Sequence, residues 1–186
     1  MLGLGTKLRM AGIDYQVKIA GPGSRTEIFL QGCLQNCKDC FNPETHALDG
    51  GRLMPVRYLI KDIREHTPQR MLTISGGEPL LQARGLRKLI KPLIRDDFHI
   101  LMYTGISYDE LMMFMLHKSG IPKLLDIGQN VTRYRDDVID VLSMIHVFVE
   151  GPFDVEKRQP ITEGSYVGSS NQRIIPINSD YLVERS

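Results

Sequence analysis

The chain's only thiols, Cys33, Cys37 and Cys40, stand in a C-x3-C-x2-C spacing inside the run G-C-L-Q-N-C-K-D-C-F-N at residues 32–42. That odd count constrains everything else. A disulfide framework needs an even number of cysteines and an oxidising compartment. A structural zinc site needs four ligands, usually in two C-x2-C pairs. A [4Fe-4S] cluster takes one ligand per iron and favours thiolates. Three cysteines leave one iron open, and an open iron can bind a substrate. The spacing therefore reads as a catalytic cluster with a vacant corner. A Cys3His zinc site recruiting His46, six residues after Cys40, is the alternative open at this stretch.

The surroundings are those of a globular protein. At 186 residues the chain suffices for one domain with a real core, taken as residues 1–186. Its formal charge of +1 gives no basic face for nucleic acid and none for a membrane. No apolar run reaches the roughly 20 residues that span a bilayer. The N-terminal residues lack the apolar region of a signal peptide, and clustered reduced thiols point to the cytoplasm.

Hydrophobic periodicity orders the rest. Strands are expected near residues 13–20, 26–31, 71–75, 98–103, 123–128 and 145–149, with a last one at 173–177. The stretch 123–128 is also compatible with a helical turn. Val56, Leu59, Ile60 and Ile63 predict a helix over 55–66. Leu86, Leu89, Ile90, Leu93 and Ile94 predict a second, which Pro92 should kink or end. Ser107 and Glu110 form a capping box for a third, running to about His117, and residues 136–142 read as a fourth. The strand-helix alternation is that of an α/β protein with a parallel sheet.

The strand at 71–75 runs into Gly76-Gly77-Glu78-Pro79. Glycines let a ligand approach the backbone, and a carboxylate there can accept bonds from an ammonium group. Read alone, the run is equally a tight strand-to-helix turn with Glu78 at the helix N-terminus.

C-x3-C-x2-C resembles the signature of the radical S-adenosylmethionine (SAM) enzymes, in which the open iron is chelated by the methionine moiety of SAM. Gly76-Gly77-Glu78, about forty residues on, is similar to that family's G-G-E, which binds the methionine amino group. Further runs resemble the activases of glycyl-radical enzymes: G-P-G-S-R at 21–25, F-N-P-E-T at 41–45, Y-T-G at 103–105 and E-G-P-F at 150–153. G-S-S-N-Q-R at 168–173 is similar to the C-terminal run of the activases of anaerobic (class III) ribonucleotide reductase. The chain departs from the pattern in three places. Asp39 stands where many members have an aromatic residue, Tyr166-Val167 where W-R is usual, and residues 119–135 are extra.

The resemblance implies a partial, open parallel βα barrel of the radical SAM type. Cys33, Cys37 and Cys40 would be the catalytic metal ligands of a [4Fe-4S] cluster. Gly76, Gly77 and Glu78, with Tyr103 and Thr104 at the next strand end and Asn171 in the C-terminal run, would hold SAM. Asn171 and Arg173 would shape the mouth or dock the partner, and Glu150 is open between lining the site and being a solvated loop acid. The implied reaction is reductive cleavage of SAM to a 5′-deoxyadenosyl radical, which takes hydrogen from a glycine of a partner enzyme. The implied partners are the glycyl-radical subunit of anaerobic ribonucleotide reductase and a flavodoxin-type or other low-potential reductant. The alternatives are a radical SAM enzyme acting on another glycyl-radical enzyme, a peptide or a small molecule, and a non-catalytic metal-binding module.

Overall fold

The computed structural model describes residues 5–177. Seven strands form one sheet in the order β3-β1-β2-β4-β5-β6-β7: β1 Lys7–Val17, β2 Arg25–Leu30, β3 Arg52–Pro55, β4 Met71–Gly76, β5 His99–Thr104, β6 Val147–Glu150 and β7 Arg173–Pro176. The four central strands are parallel, and β1, β3 and β7 pair antiparallel at the flanks. β3 and β7 sit at opposite ends of the order, so the sheet is open.

Alternation along the strands separates two faces. Ile28, Leu30, Leu72, Ile74, Ile100, Met102 and Phe148 enter one core with residues from all four helices: α1 Val56–His66, α2 Ala83–Arg95, α3 Tyr108–Met115 and α4 Val131–Met144. The other face carries Glu27, Phe29, Ser75 and Tyr103 and is left for the cavity. None of the described helices is long and apolar enough to cross a membrane.

The first strand lies earlier than its expected 13–20 and is longer, because Leu8 and Met10 already alternate into the core. β3 was not expected; its four residues R-L-M-P carry no buried alternation. The strand at 123–128 does not form. Pro122 opens a 3-10 turn at Lys123–Leu125, and the Asp126 side chain accepts from Gly128 N at 3.0 Å. Residues 119–135 therefore add no βα unit: most of the stretch is exposed, Leu125 anchors it in the core, and α4 has already begun at Val131. α2 continues three residues beyond Pro92. A proline so near the helix end costs only the bond to the carbonyl of exposed Lys88, which water can satisfy. Ser107 caps α3, its Oγ accepting from Glu110 N at 3.2 Å.

Candidate functional site

The cysteine loop leaves the C-terminal end of β2 and is fixed to the end of β4 by backbone bonds. Gly77 N donates to Leu30 O and Glu78 N to Gly32 O, each at 2.8 Å. Gly32 N donates to Thr45 O at 2.7 Å and Cys33 N to His46 O at 3.0 Å, closing the loop's far side. Both glycines of the pair are required by this stitching. Gly76 has φ +101°, and a Cβ on Gly77 would lie 2.2 Å from Gly32 O. The crowding thus comes from the chain's own backbone.

Within the loop, Asn36 and Asp39 adopt left-handed backbone conformations (φ 48° and 51°). Aspartate tolerates that region better than an aromatic residue does, which gives a physical reason for Asp39. An aromatic follows Cys40 instead. Phe41 meets Phe153 edge-on at 4.9 Å, and the Arg158 guanidinium covers its ring at 4.5 Å.

All three cysteines are free thiols and line one cavity of about 400 Å³, a volume in the range of ligand sites. Gly76, Gly77, Tyr103 and Thr104 line the same cavity. Burial raises the Cys33 and Cys37 thiols, while the Cys40 sulfur accepts a bond from Asn42 N at 3.4 Å. Among the described residues no three His, Cys, Asp or Glu side chains converge on a single ion. A zinc site needs four donors about 2.0–2.3 Å from one point. A cluster spreads its thiolates over separate irons, and three free thiols around a ligand-sized space fit that demand. His46, the fourth donor of the zinc alternative, shares a hydrogen bond between Nδ1 and Asn36 Oδ1 at 2.9 Å.

Four of the candidate site residues, Glu78, Glu150, Asn171 and Arg173, lie outside the cavity lining. Glu78 is 2% exposed. Its carboxylate accepts from Leu80 N at 3.0 Å, Thr104 Oγ1 at 2.8 Å and Gly105 N at 2.9 Å, tying the end of β4 to the end of β5. Burial outweighs those bonds and pushes its carboxyl up to about 7. Glu150 is also buried; it accepts from Tyr108 N at 3.0 Å and pairs with Arg173, whose other partner is Asp109 at 3.1 Å. Neither reading given for Glu150 describes it: it joins β6 to β7 and α3. Asn171 donates through Nδ2 to Pro152 O at 2.7 Å. Its neighbours Gly168 and Gln172 are the ones on the cavity wall.

Sequence reasoning missed Asp14, Glu27, Ser75 and Phe29 on that wall. Strand alternation carried the signal for the last three, since they lie on the face opposite the helix-packed residues. Arg25 was read only as part of the G-P-G-S-R turn. It is fully buried beneath the sheet's cavity face, its Nε donating to Thr73 Oγ1 and its Nη2 to Leu72 O, both at 2.7 Å.

A family model described as "4Fe-4S single cluster domain" matches residues 19–175. A Haemophilus influenzae protein, provisionally named a glycyl-radical enzyme activating enzyme, is 41% identical over 78 residues, 40% of this chain and 30% of its own length. The pyruvate formate-lyase-activating enzyme of Clostridium pasteurianum is 32% identical over 125 residues, 64% of this chain and 52% of its own. That of Staphylococcus aureus (strain USA300) is 32% identical over 116 residues, 59% and 46% respectively. The matched stretches span about half or less of these relatives.

Proposed function

The chain belongs to the 4Fe-4S single cluster domain family, and from that premise we propose that it is a radical SAM activase that generates a glycyl radical on a partner enzyme. One observation carries the reading: the three thiols and the twin-glycine strand end open on the same cavity and are stitched together by backbone bonds. In this reading Cys33, Cys37 and Cys40 hold a [4Fe-4S] cluster, and SAM binds beside Gly76 and Gly77. When bound, the reduced cluster supplies the electron that cleaves SAM to methionine and a 5′-deoxyadenosyl radical, the species that removes hydrogen from glycine.

The chain's own residues position and shield. Glu78 acts through its partners, holding Thr104 and Gly105 at the cofactor's border. Tyr103 donates to Tyr166 O at 2.7 Å, and burial holds its phenol protonated. Val17, Ile19, Ala20, Phe29 and Phe153 give the cavity an apolar wall that disfavours water. A glycine offers no side chain to block approach, which suits a protein substrate delivered into such a space.

The proposed target is the glycyl-radical subunit of anaerobic ribonucleotide reductase, supported by the run Gly168 to Arg173. The names of two relatives favour a second candidate, pyruvate formate-lyase. The setting proposed is the cytoplasm, with a low-potential flavodoxin-type donor. The test is anaerobic incubation of the cluster-loaded protein with SAM, a strong reductant and each candidate in turn. A glycyl doublet by electron paramagnetic resonance, and oxygen-dependent cleavage at that glycine, are expected with the reductase. SAM cleavage without either signal on any glycyl-radical enzyme would leave another radical SAM substrate in its place. Cys37→Ala should lose the reconstituted cluster's absorbance and His46→Ala should keep it. A colourless protein holding one zinc sinks the reading.

A further inference from the structure

Much of the cavity face of the sheet is apolar: Leu101, Val147 and Val149 are buried there with Tyr103, Tyr166 and Val167 packed against them. One row breaks this. Asp14 and Glu27 are direct cross-strand partners in the β1–β2 pair, and both line the cavity. Like charges placed opposite each other repel, so the fold alone gains nothing from this pair. Ser75 Oγ donates to Glu27 Oε1 at 2.6 Å, the one hydrogen bond to that carboxylate among the described residues. Burial raises the Glu27 carboxyl and Asp14 adds to it, while the Ser75 bond and the more distant Arg25 charge oppose the rise. Arg25, two residues away, does not form an ion pair with either acid; its guanidinium is engaged by Thr73, Pro22 O, Leu72 O and His99. Among the described residues neither carboxylate of the pair is in direct contact with a cation, and the Arg25 charge reaches Glu27 only from a distance.

Building on the activase reading, we infer that Glu27, backed by Asp14, receives a positively charged side chain of the polypeptide whose glycine enters the cavity. Position separates this row from the methionine end of the cofactor. The methionine end of SAM has to reach the cysteine loop, beyond the C-terminal end of β2. Glu27 lies three residues inside β2 from Leu30, about 10 Å at the rise of a strand. Asp14 and Ile19 are exposed, so this wall meets solvent along the β1 side, where an extended chain can enter. A guanidinium or ammonium brought there relieves the repulsion and pairs a desolvated carboxylate, which makes the row a selector of basic substrate segments.

The probes are glycine-containing peptides carrying one arginine at each position from three before to three after the glycine, and matched peptides with neutral, isosteric citrulline. Affinity is read by fluorescence anisotropy on the SAM-saturated, cluster-loaded protein. The wild type should prefer arginine about tenfold or more at one position, the size of a charge-assisted bond. Glu27→Gln should abolish that preference and leave SAM affinity unchanged by equilibrium dialysis. Equal affinity for arginine and citrulline at every position overturns the inference. So does a preference that survives Glu27→Gln, or a loss of SAM affinity with discrimination intact. The activase reading is scored apart from this, by the glycyl radical on the full-length partner. Its absence in the wild type sinks that reading, whereas radical formation equally efficient in Glu27→Gln at limiting partner sinks this inference alone.

Discussion

Glu78 holds the ends of β4 and β5 together at an electrostatic cost. Its three donors favour the ionised carboxylate, but complete burial favours the neutral form more, and the carboxyl rises from 4.5 to about 7. The folded protein therefore keeps a proton that the unfolded chain releases between about pH 4.5 and 7. Stability is full below that window and falls as pH rises through it, by about 3 kcal/mol in all. Urea midpoints of the cluster-free protein across pH 4.5–8 should show this slope, and Glu78→Gln should remove it. A wild-type curve flat over that range would contradict the assignment. Gly77 carries a second expectation at this scale. Even Gly77→Ala places a Cβ 2.2 Å from the Gly32 carbonyl, so it should destabilise the fold by about 1–3 kcal/mol and unseat the cysteine loop. Both a lower melting temperature and less iron per chain after reconstitution should follow; sequence suggested a glycine cleared for a ligand, and the backbone contact that needs it lies 45 residues away in the chain.

Elements were legible where local pattern and burial agree. β4 reads correctly because Leu72 and Ile74 alternate with Thr73 and Ser75 and all four are buried in the middle of the sheet. α1 reads correctly from its apolar periodicity and α3 from the Ser107 cap. β3 and the turn at Lys123–Leu125 did not, since their conformations are set by partners distant in sequence: β1 in one case, the core around Leu125 in the other. Arg25 is the sharpest case. Nothing local marks it as a buried tie, yet its guanidinium joins β2 to β4 and reaches His99 of β5 at 3.1 Å. Burial lowers it from 12.5 to about 10, so it stays charged at neutral pH. A lysine retains the charge but not the planar fork. Arg25→Lys should therefore cost about 2–4 kcal/mol by urea denaturation, as expected when a buried hydrogen-bond network is broken. A loss below about 0.5 kcal/mol, the usual size for a neutral surface change, would show that the tie is not structural.

At the scale of the molecule, helices cover one face of an open sheet and leave the other to a cavity roofed by two loops. The cysteine loop is one; the segment from Gly151 to Gln172 is the other, contributing Phe153, Ile161, Tyr166 and Gly168 to the lining. The two meet where Phe41 packs against Phe153 under Arg158. Leu34, Phe41 and Leu48 are exposed on the segment that carries the cysteines, apolar surface that solvent alone does not explain. On the proposed activase reading, an open cavity in which a radical has to survive calls for a cover, and a protein substrate would supply it by excluding water itself. Hydrogen exchange of the cluster-loaded protein with and without the glycyl-radical partner should then show protection concentrated in residues 34–48 and 153–168. The helix-covered face, α1 and α2 included, should exchange as before. Protection confined to that helix face, with the two loops unchanged, would place the partner away from the cavity and remove the geometric basis for delivering its glycine there.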